Sequence, residues 1–210
     1  MKKEDTKQKI LEKALELFSS KGYDAVSVGE IGKAVGIKAP SLYNHYPSKQ
    51  AIFDALVAET SKRYEEFTEK IDIHMKNAEK DSALFTNVLE ETLIEKVRQI
   101  FIYSVHNETI SQFRRMMTIE QFRSSSLSAL YSARYAERLV AYHAELFEIL
   151  MANGEIKKED SETLAMMYVA PITTLLGICD REPHREDECL KKLEAHVRLF
   201  FRTFNASHTK

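Results

Sequence analysis

Gly36-Ile37-Lys38-Ala39-Pro40-Ser41-Leu42-Tyr43-Asn44-His45-Tyr46-Pro47-Ser48-Lys49 is the stretch on which the reading of this chain turns. A proline is tolerated in a helix only in the first turn, where its missing N–H would bond nothing. Pro40 therefore predicts a helix starting near Ala39, and Pro47 with Ser48 predicts its end at about Tyr46 and the opening of the next. Just upstream, Ser27-Val28-Gly29-Glu30 has the S-x-x-E form of a capping box, in which a hydroxyl and a carboxylate satisfy free amides at a helix start. Val28, Ile31 and Val35 supply that helix's apolar stripe, and Gly36 follows where a left-handed residue turns the chain sharply. Two helices this short bury few side chains, so they form a poor core but a good mount for presenting one helix to a DNA groove. In such a unit Gly32 permits the close crossing, and Ile31, Val35, Ile37 and Leu42 form the seam. An ordinary helical hairpin with a glycine turn has the same spacing, so spacing leaves both readings open.

Outward from this stretch the chain reads as all-α. Six glycines and four prolines punctuate 210 residues, and apolar side chains recur at intervals of three and four almost throughout. A first helix over 6–21 carries Ile10, Leu11, Ala14, Leu15 and Phe18 on one face and stops at Gly22. A long helix over 48–74 follows the quoted stretch and links a domain at 1–50 to a second at 51–210. Helices are predicted there over 84–107, 109–122, 125–152, 161–179 and 187–205, with a firm break at Asn153-Gly154.

Hydrophobic residues make up 44% of the chain, enough to fill a core at this length. The formal net charge of -2 carries no whole-chain signal for nucleic acid, but residues 1–50 hold nine lysines against six acidic residues and the remainder is acidic. Cys179 and Cys189, without CxxC spacing, suit reduced cytoplasmic thiols rather than a disulfide framework. The charged N-terminus lacks a signal peptide's apolar core, and the charge-free run 164–179 is shorter than a membrane span needs. Cytoplasmic localisation and no membrane partner are therefore expected. No HExxH, no Glu-x-x-His pair, no phosphate-cradling glycine loop and no nucleophile elbow occurs, which argues against an enzyme. Cys179, His184 and Cys189, with Asp180 and Asp187 nearby, fit no standard zinc spacing, so neither a metal nor a cofactor is expected.

The run from Ser27 to Leu56, above all its L-Y-x-H-aromatic-x-x-K core (Leu42, Tyr43, His45, Tyr46, Lys49), resembles the DNA-binding signature of the tetracycline-repressor (TetR) family. About fifty residues carry this resemblance. It implies an N-terminal three-helix helix-turn-helix domain plus a C-terminal helical bundle for ligand binding and dimerisation, about nine helices in all. It also implies phosphate contacts from Tyr43, His45 and Lys49, whose phenol, imidazole and ammonium can all donate to phosphate oxygens. Ser27, at a helix start, joins that group, although capping alone accounts for it. Lys38, Ala39, Pro40, Ser41 and Asn44 lie on the groove-facing start and outer side of the recognition helix and are the base-reading set. Tyr46, four residues after Leu42, is assigned to packing. Two departures from the family pattern, Lys38 in place of a capping serine and Gly29 without a side chain, predict that few contacts carry specificity.

One helix-turn-helix contacts too little DNA for strong specific binding, so a homodimer on a near-palindromic double-stranded operator is expected. The resemblance places the dimer interface on the last two long helices, with Leu164, Tyr168, Leu175, Leu190, Leu193, Val197, Phe200, Phe201 and Phe204 as its apolar residues. Phe101, Tyr103, His106, Phe113, Met116, Met117, Phe122, Tyr131, Tyr135 and Tyr142 form the expected pocket for an unidentified small-molecule effector, although a stripe of this kind is more often plain core. The resulting expectation is a ligand-responsive transcriptional repressor released from DNA by a small molecule. The alternative is a helical protein-interaction adaptor that does not bind DNA.

Overall fold

The computed structural model describes residues 3–85, 88–123 and 125–206. Its helices are α1 (Lys3–Lys21), α2 (Val28–Val35), α3 (Ala39–Tyr43), α4 (Lys49–Lys70), α5 (Ala78–Phe85), α6 (Glu90–His106), α7 (Glu108–Glu120), α8 (Ser125–Ser132), α9 (Arg138–Ala152), α10 (Ser161–Arg181) and α11 (Glu186–Phe204). A π-type segment, Ala133–Glu137, joins α8 to α9, and a short 3-10 turn, Pro183–Arg185, precedes α11. Among the described residues the sole β-type pairing is an isolated bridge between Ile156 and Asn205. The all-α expectation is met.

The chain divides into two compact units, Met1–Tyr64 with Asn107–Ala129, and Glu65–His106 with Leu130–Lys210. In the first, the predicted stripe of α1 is buried at Ile10, Leu11, Ala14, Leu15 and Phe18. Unlike the division expected at residue 50, this unit includes α7, which packs on α1. The reason lies in α7's own stripe: Ile110, Phe113, Met116 and Met117 are all buried, and the Phe113 ring lies 6.1 Å from that of Phe53.

In the second unit α9 packs on α10 and α5, and α11 packs on α10 and α6. One apolar cluster gathers Ile94, Phe147, Leu150, Leu164, Tyr168 and Val197; another gathers Phe101, Leu175, Cys179, Cys189, Leu190 and Leu193. α10 alone among the described residues is long and apolar enough to cross a membrane. Its buried residues, Leu164, Ala165, Tyr168, Val169, Leu175 and Cys179, all lie within the two clusters.

Two boundaries differ from expectation for local reasons. The long helix stops at Lys70, not 74, because Asp72 turns left-handed (φ 58) and the amides of Asp72 and Ile73 fold back onto Glu69 and Thr68 in a Schellman motif. The helix expected over 84–107 is two helices, and α5 starts early because Asn77 Oδ1 accepts from the Lys80 amide at 2.8 Å.

Candidate nucleic-acid interface

The capping box at the start of α2 forms as its residues dictate. Ser27 Oγ accepts from the Glu30 amide (3.2 Å), and Glu30 Oε2 accepts from the Ser27 amide (2.9 Å) and hydroxyl (3.1 Å). The backbone hydrogen bond from Ser27 and the Lys21 ammonium 2.9 Å away hold the Glu30 carboxyl down at about 2. At the other end Gly36 takes φ 84, and the amides of Gly36 and Ile37 both bond the Gly32 carbonyl at 2.9 Å. A Cβ on Gly32 would stand 3.0 Å from the Ile37 carbonyl oxygen, tighter than side chains ordinarily sit, so a larger residue there would press on the turn.

This turn lays α3 against α2, with Leu42 fully buried (0% exposed). The opposite side of α3 is open. Lys38, Pro40, Ser41, Tyr43 and Asn44 are exposed, Tyr43 by 50%, and Ala39 is half-buried. The Lys38 side chain makes no capping bond. All five base-reading candidates therefore stand together at the start and outer side of α3, with the Tyr43 phenol beside them. Regular helix ends at Tyr43 rather than 46, but the amides of His45 and Tyr46 still bond the Leu42 carbonyl (2.8 and 3.0 Å), so one tight turn carries the chain to Pro47.

The phosphate group fares differently member by member. The His45 ring has its Nδ1 buried without a partner, so only the Nε2 edge is left to meet a phosphate. Tyr46 is half-buried, with the Lys7 ammonium 5.7 Å from its ring centre, in keeping with a packing role. The Ser27 hydroxyl is engaged in the cap, and Glu30 already supplies an anion to that helix end.

Lys49 requires a correction. Its ammonium donates to the carbonyls of Tyr23 (2.9 Å), Val26 (3.0 Å) and Asp24 (3.4 Å) and lies 4.4 Å from the Tyr23 ring centre. An ammonium has three N–H donors. All three serve the loop between α1 and α2, so in this structure Lys49 staples that loop.

Residues 10–56 match the family described as bacterial regulatory proteins, tetR family. This match to the tetR family spans α2 and α3 with parts of α1 and α4. Likeness to known proteins also extends along the full chain. The probable HTH-type transcriptional regulator YttP of Bacillus subtilis (strain 168) is 23% identical over 222 residues, covering 99% of this chain and 99% of YttP. IcaR of Staphylococcus aureus (strain Newman), the HTH-type negative transcriptional regulator of the biofilm operon icaADBC, is 47% identical over 51 residues, which is 24% of this chain and 27% of IcaR. A TetR family transcriptional regulator from Pseudomonas syringae pv. tomato (strain DC3000) has the same fold, with a TM-score of 0.67 over 97% of this chain and 99% of its own at 14% identity.

The second unit holds a cavity of about 120 Å³. Of the ten aromatic, methionine and histidine residues expected to line an effector pocket, Tyr142 does so. The others are elsewhere. Phe113, Met116 and Met117 are core of the first unit, and Phe122 is 89% exposed. Phe101 is buried against Leu175 and the cysteines, Tyr103 stacks on Phe67 at 3.8 Å, His106 meets Glu186 at 2.8 Å, and Tyr131 and Tyr135 pack on each other.

The expected dimer residues are corrected likewise. Leu164, Tyr168, Leu175, Leu190, Leu193 and Val197 are buried within the chain as part of its own core. Tyr168, Val197, Phe200, Phe201 and Phe204 form part of the cavity wall instead. Their i, i+3, i+4 spacing signals a buried face and cannot say which neighbour buries it.

Missed altogether were Asp81 and His143. Asp81 sits on the buried face of α5 with Ala78 and Ser82. Its Oδ1 accepts from the His74 amide (2.7 Å) and faces His74 Nδ1 (3.1 Å), and its Oδ2 accepts from the Tyr142 hydroxyl. An acidic residue on an apolar helical stripe was the available signal. Cys179 and Cys189 are buried free thiols, and burial with a hydrogen bond to Cys189 pushes the Cys179 thiol up to about 12. Among the described residues no group of three or more His, Cys, Asp or Glu side chains could hold a metal ion.

Proposed function

We propose that this chain is a ligand-responsive transcriptional repressor that binds a near-palindromic operator as a homodimer. The observation that carries the reading is α3 itself: Leu42 is wholly buried against α2 while Lys38, Pro40, Ser41, Tyr43 and Asn44 stand free on its outer side. A groove-reading helix needs this division, with one side fixing the pose and the other free for bases and phosphates. An adaptor would leave that polar outer side without a use. The chain's work is then done in the cytoplasm, on DNA and without catalysis. The test is a salt titration: the logarithm of the affinity for promoter duplex is expected to fall linearly with the logarithm of salt concentration. Absence of duplex binding at low salt would favour the adaptor.

For the dimer surface the exposed apolar residues of the last two helices replace the buried ones. Met166 (60% exposed), Met167 (51%), Ala170 and Thr174 follow one another along α10, and Leu199 (66%) stands exposed on α11. Clustered exposed hydrophobics of this kind mark an association surface. The double variant Met167→Lys, Leu199→Glu is expected to weaken dimerisation by at least about tenfold, roughly 1.4 kcal/mol, with the monomer still folded. Sedimentation equilibrium checks this; an unchanged dimer would place the interface elsewhere.

The cavity in the second unit is the effector site in this reading. A ligand that binds one dimer geometry better than another shifts the population toward it, and the spacing of the two recognition helices shifts with it.

A further inference from the structure

Two polar atoms on the cavity wall, the Tyr168 hydroxyl oxygen and His143 Nε2, make no hydrogen bond among the described residues. Tyr168 is buried (8% exposed), yet its hydroxyl makes no hydrogen bond. His143, whose ring centre lies 5.1 Å from that of Tyr168, donates from Nδ1 to the Leu139 carbonyl at 2.8 Å, which leaves Nε2 as a bare acceptor in the neutral ring. Desolvation by its surroundings holds this imidazole down at about 4, so it is neutral at physiological pH. Most of the remaining wall is apolar, with Phe147 and Phe200 packed against the pair, and its other polar residues are Asp81, Lys96, Tyr142, Glu155 and Asn205.

From this pairing of an unbonded phenol donor with an unbonded imidazole acceptor on an apolar wall, we infer that the cavity selects a small neutral ligand bearing one hydroxyl group. The inference rests on the cavity being the effector site. A hydroxyl both accepts and donates, so one group satisfies Tyr168 and His143 together. A carboxylate only accepts; it would face the His143 lone pair, and it would share the wall with Asp81 and Glu155. The one ammonium there, Lys96, is engaged with the Ile71 carbonyl. An ammonium ligand would satisfy His143 but leave Tyr168 unbonded, and the Asp81 oxygens are already served by His74 and Tyr142. Size narrows the ligand further. A dry apolar cavity of about 150 Å³ holds one benzene molecule, so about 120 Å³ takes a single ring or an aliphatic group of similar bulk. Burying a polar group without a partner is costly, which is why the hydroxyl should be selected rather than merely tolerated.

Isothermal titration calorimetry of the full chain with 4-ethylphenol, ethylbenzene and 4-ethylbenzoate tests this. 4-Ethylphenol is expected to bind at least about tenfold tighter than ethylbenzene, with 4-ethylbenzoate weakest. In Tyr168→Phe the phenol's advantage should shrink to less than about threefold while ethylbenzene affinity holds. Equal binding of 4-ethylphenol and ethylbenzene to the unaltered chain, or tightest binding of 4-ethylbenzoate, would overturn the hydroxyl preference and leave the cavity a ligand site. If none of the three binds, the effector-site reading fails and the inference with it.

Discussion

Leu42→Ala is expected to lower the stability of the first unit by about 2–5 kcal/mol and to abolish duplex binding. Leu42 is the only residue of α3 that is fully buried, and its carbonyl also accepts from the amides of His45 and Tyr46. Truncation removes the side chain that pins this five-residue helix to α2 and leaves a void that the rigid turn around Gly32 cannot close. A helix this short has no stability of its own, so once unpinned it frays. The outer-side change Ser41→Ala should keep stability within about 0.5 kcal/mol, because Ser41 is exposed. Urea denaturation followed by circular dichroism, with duplex binding measured in parallel, separates the two. If Leu42→Ala keeps both stability and affinity, α3 is not held as described.

Lys49→Met is expected to cost about 1.5–3 kcal/mol, because the ammonium that bridges the carbonyls of Tyr23, Asp24 and Val26 disappears and those acceptors lose their donor. Methionine keeps much of the stem's bulk, so the loss reports on the charge-assisted hydrogen bonds. The electrostatic readout decides between staple and clamp. Removing a phosphate contact lowers the salt slope of duplex binding by about one, whereas removing a staple lowers stability and leaves the slope in place. The structure predicts an unchanged slope and a lower urea midpoint. A reduced slope with wild-type stability would restore Lys49 to the phosphate-contacting group.

What could be read from residues alone divides along a physical line. Ser27, Glu30, Gly36 and Pro40 act through rules that span four or five residues of backbone, and each does in the structure what those rules require. The buried stripe of α1 and the inward Leu42 follow from helical periodicity and were equally legible. Lys49 was not, because its carbonyl partners lie 23 to 26 residues upstream, where no spacing rule places them. The cavity was illegible for a related reason. Asp81 and Tyr142 are 61 residues apart and meet because α5 packs on α9. Periodicity identified Tyr168, Val197 and Phe200 as inward or interfacial without telling cavity wall from partner surface. Burial within the chain settles that six of the expected interface residues are internal, and it moves attention to Met166, Met167 and Leu199.

In the repressor reading the outer side of α3 reads bases. Selection of preferred duplexes from a random pool by the full chain and by Asn44→Ala tests it most directly, since Asn44 is exposed and its amide can pair with an adenine edge. Preference is expected to relax at one position in each half-site while the other positions hold their bases. Identical preferred sequences for the two proteins would contradict it.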